Sequence, residues 1–328
     1  MCSTIGSMTK IEARLRCWSN DVKNLTLTCV SACKFADASQ SRTTMERCRL
    51  CHGPTTELFN LQVLGRYDVR YFECKSCGSA QTEVPYWLKD AYAIPGVHVD
   101  VGQAARVVAT WLRLNSMLEQ IGFDKDLVGV DYGGAAGLLT RLMRDSGYNF
   151  YAYDTYDDSK YANYFRIATF TQCKPAIVTA FEVFEHFPDP RTSLLEIFDS
   201  GADLVIFSAV FYEQQGPEWP YLIPFCGQHV FFYSQRGLES FASEHGFDMR
   251  RVHDFWVLVR RGTRYETEIY EGSIKHIDAK FAGDHVQMVG WATSATVRDF
   301  DYAKARFERE LPLYVKKRGW FDWLSRKR

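Results

Sequence analysis

The chain has 328 residues, 46% of them apolar, with 39 Lys and Arg against 40 Asp and Glu and a formal net charge of −1. This composition supports one large or two modest buried cores, and the near-neutral balance provides no basic field of the kind nucleic acid selects. No apolar run approaches the roughly 20 residues of a membrane span, the first residues lack a secretion signal, and four of the ten cysteines form two C-x-x-C pairs, which favours metal in a cytoplasmic setting over secreted disulfides.

Residues 1–44 show no sustained periodicity and are rich in Ser and Thr, so they are expected to be disordered. Cys2, Cys17, Cys29 and Cys33 have no ligand-like spacing and read as free thiols. Three acids and no amphipathic helix weigh against a transit peptide, and Met45 is an alternative start. Next come Cys48-Arg-Leu-Cys51 and Cys74-Lys-Ser-Cys77. Two such knuckles bring four thiolates around one tetrahedral ion, as in a zinc ribbon spanning 45–90. The strand-like alternation of LFNLQVLG and YDVRYFECK predicts a hairpin joining them. Four protein ligands leave no open position, so this Zn2+ would be structural, its binding energy contributing to folding. His52 reads as a neighbouring surface histidine.

The connector 85–103 carries Tyr86, Trp87, Tyr92 and His98, which could reach a cleft or pack the ribbon onto the larger domain, expected at 91–262. Ala104–Ile121 reads as an amphipathic helix with Val107, Trp111, Leu114, Met117 and Leu118 on one face. LVGVDYGGAAGLLTRLMRDSGYNFYAYD, from Leu127 to Asp154, then reads as strand, glycine-rich turn, helix and strand, ending on an acid. Glycines at a strand's carboxyl end admit a ligand close to the backbone, and the helix amino terminus offers N–H groups to an anion. No frame supplies the G-x-G-x-x-G of a dinucleotide site.

The spacing Asp131-x-Gly133-x-Ala135-x-Gly137 resembles the D/E-x-G-x-G/A-x-G loop of class I S-adenosylmethionine-dependent methyltransferases. The resemblance implies a Rossmann-like α/β fold with helices on both faces of a mostly parallel sheet carrying one antiparallel strand. It also implies a cofactor cradle of Asp131, Gly133, Gly134, Ala135 and Gly137, with Asp154 on the ribose hydroxyls. A third strand is usual in that family after this acid, but none is obvious in the aromatic stretch that follows.

AIVTAFEVFEHF, followed by Pro188-Asp189-Pro190, resembles the fourth-strand motif of many small-molecule methyltransferases, E-V-x-E-H with a following D-P. Phe181 and Glu182 would then border the cofactor, and Glu185 and His186 would face the acceptor. The same residue types also suit a plain role, the acids capping the loop and the histidine packed. A helix over 192–198, a strand over 202–209 and a long aromatic loop, 210–228, follow. Gly227-Gln228-His229-Val230-Phe231-Phe232-Tyr233-Ser234 resembles the H-x-x-[FY]-[FY]-S segment of sugar C-methyltransferases and relatives that carry an amino-terminal four-cysteine zinc motif. In some of these a Glu-His pair serves as base at this point; Gln228 here removes half of it, leaving His229 as the candidate base for O-, N- or C-methylation.

A helix over 236–245 and two short strands would complete the sheet. After Gly262 the resemblance fades into a C-terminal helical extension, 263–328, with helices over 265–277 and 297–311. Its basic, Trp-containing end either packs on the domain or touches an anionic membrane surface or a partner. The expectation is methyl transfer to a small-molecule acceptor, plausibly a sugar. A zinc-ribbon scaffold with a vestigial cofactor fold, or a nucleotide-dependent reductase, would be separated from it by cofactor binding.

Overall fold

The alternating segment between the cysteine pairs forms the expected hairpin, β1 (Thr55–Val63) against β2 (Tyr67–Cys74), in a computed structural model that describes residues 46–93, 100–157, 160–170, 173–270, 273–274, 304–305 and 308–309. The expectations for residues 1–44, for His98 and for the basic tail lie outside the described residues. Met45–Arg328 form one unit. The hairpin is not left as a two-stranded ribbon. β3 (Ala80–Thr82) pairs with β2, and β8 (Phe231–Phe232), from the motif segment far along the chain, pairs antiparallel with β3. Val63, Val69, Tyr71, Trp87, Tyr212, Leu222 and Phe232 pack into one apolar cluster around this four-stranded sheet.

The larger sheet has the order β5-β4-β6-β7-β10-β9. Its parallel strands are β4 (Val128–Tyr132), β5 (Asn149–Tyr153), β6 (Ile177–Ala180) and β7 (Leu204–Phe207). β9 (Phe247–Val252) and β10 (Phe255–Arg260) form a hairpin whose second strand runs antiparallel to β7, the single reversal expected. Side chains alternate between its faces, as strand geometry requires. Ile177, Leu204, Ile206, Val257 and Val259 meet α1 (Gln103–Gln120) and α2 (Leu138–Asp145) through Leu114, Met117, Leu118, Leu139 and Met143. Val178, Val205, Phe207 and Leu258 meet α3 (Pro190–Asp199) and α4 (Gln235–Glu244) through Leu194, Ile197, Phe198, Leu238 and Phe241 on the other face. Cys48, Leu50 and Cys74 share that second cluster, so the knuckles and the large sheet bury a common core.

Local signals set the ends. Asp189 Oδ1 accepts from the Thr192 amide at 3.1 Å with Pro190 at the first helical position, a cap worth about 1 kcal/mol. The expected third strand is reduced to one parallel bridge, Ala152 to Arg166, with the Ile167 amide on Ala152 O at 2.9 Å. In that segment a short 3-10 turn, Asn163–Phe165, takes up the residues just before the bridge. The helix expected over 265–277 is also shorter, Tyr265–Glu268, because Ile269 already turns to extended backbone at φ −108°, ψ 100°. No helix among the described residues is long and apolar enough to cross a membrane.

Candidate functional site

β5 and β6 leave opposite sides of β4, so the chain reverses direction there and opens a crevice at the carboxyl ends of these strands. The glycine turn sits in that crevice. A Cβ on Gly133, at φ +69°, would meet Val183 Cγ2 at 2.6 Å, and one on Gly134 would lie 2.7 Å from Asp131 Oδ2. Backbone is thereby brought against the loop that follows β6, which a side chain would prevent. The turn differs from expectation in one respect. The Gly133 and Gly134 amides donate to Tyr153 O at 2.8 and 3.2 Å and the Ala135 amide to Asp154 Oδ2 at 2.9 Å. These three N–H groups are occupied within the fold, so the turn provides close approach rather than an anion nest.

Asp131 is buried at 4% exposure, accepting from Thr179 Oγ1 at 2.8 Å and Thr140 Oγ1 at 3.4 Å. Burial pushes its carboxyl up to about 7 from 3.8. A group whose folded pKa is raised contributes stability that is complete below its unfolded value and is lost as pH rises through about 7. Asp131→Asn removes that loss. The Asn protein is therefore expected to gain on the wild type between pH 5 and 8, by on the order of 3 kcal/mol, in urea titrations of both. A difference that does not change with pH would show that Asp131 is ionised throughout.

Asp154 Oδ1 accepts the amides of Tyr156 and Asp157 at 2.7 and 2.9 Å, in addition to the Ala135 amide on Oδ2. Three of a carboxylate's roughly four lone-pair positions are then used, which leaves capacity for one ligand hydroxyl. Beside it Tyr156 stacks on Tyr92, ring centroids 3.9 Å apart and planes 1° from parallel. Tyr92 is thereby held next to Tyr156, whose own amide is bound by Asp154. Of its neighbours in the connector, Tyr86 is 58% exposed, whereas Trp87 is buried with Nε1 donating to Gly227 O at 2.8 Å. Trp87 thus takes the packing role expected of the connector.

After β6, Phe181 packs on Phe255 with centroids 5.2 Å apart. Glu182 takes φ +56°, a strained conformation for a non-glycine residue, stabilised by Ser208. The Glu182 amide donates to Ser208 Oγ at 2.8 Å, and that hydroxyl donates to Glu182 Oε1 at 2.7 Å. Glu185, His186 and His229 come together, their possible ligand atoms all within 4.8 Å of one another. The His186 and His229 rings meet edge to face at 4.9 Å, and the Val230 amide on Glu185 O at 2.9 Å ties the two segments. Tyr221, which no sequence signal singles out, supplies a third side, its hydroxyl donating to Glu185 Oε1 at 2.8 Å.

His229 Nδ1 lies 2.7 Å from Tyr221 O. A carbonyl only accepts, so Nδ1 carries the proton and Nε2 keeps its lone pair, directed at Glu185 Oε1 4.0 Å away. Burial, with His186 alongside, pulls His229 down to about 4, and burial does the same to His186. Burial pushes Glu185 up to about 7. Among the described residues, Glu185 Oε2 and His186 Nδ1 are buried without a hydrogen-bond partner. Gln228, in place of the acid of a Glu-His pair, instead donates to Ala91 O at 3.3 Å. The arrangement is a neutral imidazole beside a carboxyl raised by burial, on the segments that follow β6 and precede β8.

The four knuckle sulfurs also converge. Cys48 and Cys77 Sγ are 3.7 Å apart, Cys51 and Cys74 Sγ 3.4 Å, and all four lie within 4.8 Å of one another. These separations are far beyond a disulfide bond and near the about 3.8 Å edge of a tetrahedron with 2.3 Å metal–sulfur bonds. The donor set fits zinc.

Residues 103–252 match the model of a family described as a methyltransferase domain. No curated protein matches the chain. Among solved structures, magnesium protoporphyrin IX methyltransferase from Synechocystis with bound SAM is 15% identical, with 54% of this chain and 97% of that one covered at a TM-score of 0.39. Human N-acetylserotonin methyltransferase in complex with SAM is 17% identical, over 54% of this chain and 59% of that one, at 0.37. An O-methyltransferase family protein from Burkholderia thailandensis is 10% identical, over 55% and 62%, at 0.39.

Proposed function

We propose that the protein transfers the methyl group of S-adenosylmethionine to a small-molecule acceptor, plausibly a sugar or saccharide-linked group, and that Cys48, Cys51, Cys74 and Cys77 hold a structural zinc ion. The observation that carries this reading is the adjacency, through Val183, of the glycine turn at Gly133 and the Glu185–His186–His229 cluster. The turn, Asp131, Gly134, Ala135, Gly137, Asp154, Phe181 and Glu182 would hold the donor, with amides spent internally rather than aimed at phosphates. This suits a cofactor that has none.

The bound cofactor supplies a sulfonium, already a good methyl donor. The chain supplies position and a proton acceptor. The Tyr92–Tyr156 stack lies beside Asp154, and Tyr221 is bonded to Glu185. His229 Nε2, which the Tyr221 carbonyl keeps unprotonated, would take up the proton that an acceptor hydroxyl or amine loses on methylation. Alignment of this kind contributes several kcal/mol.

Calorimetry with S-adenosylhomocysteine tests the cofactor assignment. The wild type is expected to bind, and Asp154→Ala to lose on the order of 10–100-fold in affinity, because the carboxylate both braces the turn and meets the ribose. No binding by the wild type would sink the methyltransferase reading. A screen of acceptors with radiolabelled S-adenosylmethionine would then identify the substrate, sugars first.

A further inference from the structure

We infer that Arg49, between the two cysteines of the first knuckle, is a positioning residue for the methyl-acceptor site, so that the state of the metal centre is transmitted to His186 and His229. This rests on the functional reading above and assigns a role to the cysteine knuckle beyond folding.

The geometry is specific. From the knuckle, Arg49 Nη1 donates to Pro188 O at 3.0 Å, two residues beyond His186. Its Nη2 donates to Val230 O at 2.5 Å, the residue after His229, and to Thr82 O on β3 at 3.1 Å. The guanidinium carbon lies 5.9 Å from the Phe231 ring centroid. The knuckle backbone grips the same segments from the other side, since Arg191 Nη1, at the start of α3, donates to Leu50 O at 3.1 Å. The Arg49 amide is itself fixed to Gln81 Oε1 at 2.8 Å, and Gln81 Nε2 donates to Arg47 O at 3.0 Å.

One planar fork thus joins the two loops whose side chains, His186 and His229, meet at 4.9 Å. Neither loop is held by regular secondary structure there: the first is a 3-10 turn, Phe184–His186, and the second enters a strand of only two residues. Lysine cannot replace the fork, because a point charge on a flexible stem lacks its fixed, divergent donors. Arg49 is set by Cys48 and Cys51 on either side, so a metal that orders the knuckle orders the fork.

The test compares wild type, Arg49→Met, Arg49→Lys and, as a destabilised control in the core on the other face of the large sheet, Leu118→Ala, each full length and zinc-loaded. Metal content and S-adenosylhomocysteine affinity are expected to stay within about twofold of wild type in both Arg49 variants. kcat on the acceptor found by screening should fall on the order of 100-fold in Arg49→Met, the cost of a displacement of about 1 Å at the reacting groups, with less loss in Arg49→Lys and little change in KM. Imidazole nitrogen NMR gives a readout independent of turnover. The His186 and His229 signals should move in Arg49→Met and in wild type stripped of metal, and stay put in Leu118→Ala. If Arg49→Met does not fold, Arg49→Lys is read in its place.

Unmoved histidine signals in a folded, metal-loaded Arg49 variant would overturn the inference, as would a shift of equal size in the Leu118→Ala control. Absence of S-adenosylhomocysteine binding by wild type would instead overturn the cofactor reading and leave the NMR comparison standing.

Discussion

Cys48→Ser is expected to lose the metal and most of the stability of the amino-terminal sheet. Structural zinc in small sites binds with apparent free energies of about 10–16 kcal/mol, and in such sites that energy is folding energy. Here the loss would not stay local. Cys48 and Cys74 are buried in the same cluster as Val130, Val178 and Phe207 of the large sheet, and β8 is shared with the segment that carries His229. Without the ion, three remaining thiols and a hydroxyl would be packed together with no bond to hold the two knuckles in place. Metal analysis should show about one zinc per wild-type chain and little in the variant. The thermal midpoint should fall by on the order of 10 °C or more, given that about 1 kcal/mol moves a domain of this size by a few degrees. A Cys48→Ser protein with full zinc and an unchanged midpoint would refute the four-thiolate site.

His229→Ala should lower kcat on the order of 100- to 10,000-fold, the usual worth of a positioned general base, while leaving S-adenosylhomocysteine affinity within about twofold. The pH dependence carries the sharper test. The base must be neutral to accept a proton, and burial has lowered His229 from 6.5 to about 4. The acid limb of kcat should therefore lie near pH 4 rather than at the ordinary histidine range, with the base available at every pH above about 5. Glu185, raised to about 7, would produce a limb near neutrality if it were the group that takes the proton. Glu185→Gln separates the two, since a limb near 7 that vanishes in this variant would move the base role from His229 to Glu185. Normal turnover by His229→Ala on the true acceptor would end the base assignment altogether.

Much of the architecture was legible because it rests on local patterns. Alternation in LFNLQVLG and YDVRYFECK marked the hairpin, helical spacing marked α1, and buried runs marked β6 and β7, each within a few residues of the observed ends. The reduced third strand and the early end of the helix at Glu268 were harder to read, since both depend on which backbone a short segment finds to pair with.

The site divides in the same way. Glycine spacing after Asp131, the acid at 154 and the two cysteine pairs are set by requirements within a few residues: a close turn, a strand end, a bite around one ion. They were sufficient to propose a methyl-donor cradle and a zinc knuckle. Nothing local says that Ser208 steadies Glu182, that Tyr221 bonds Glu185 and fixes the tautomer of His229, or that Arg49 reaches Val230, 181 positions away. Those contacts arise because β8, just after His229, pairs into the amino-terminal sheet while the cysteine knuckles share a core with the large sheet, and side chains distant in sequence meet there only once burial has brought their strands together. Residue type and spacing were enough to propose the cradle and the metal ligands; the partner that gives each polar group its proton, tautomer and orientation was decided by the packing of the folded chain.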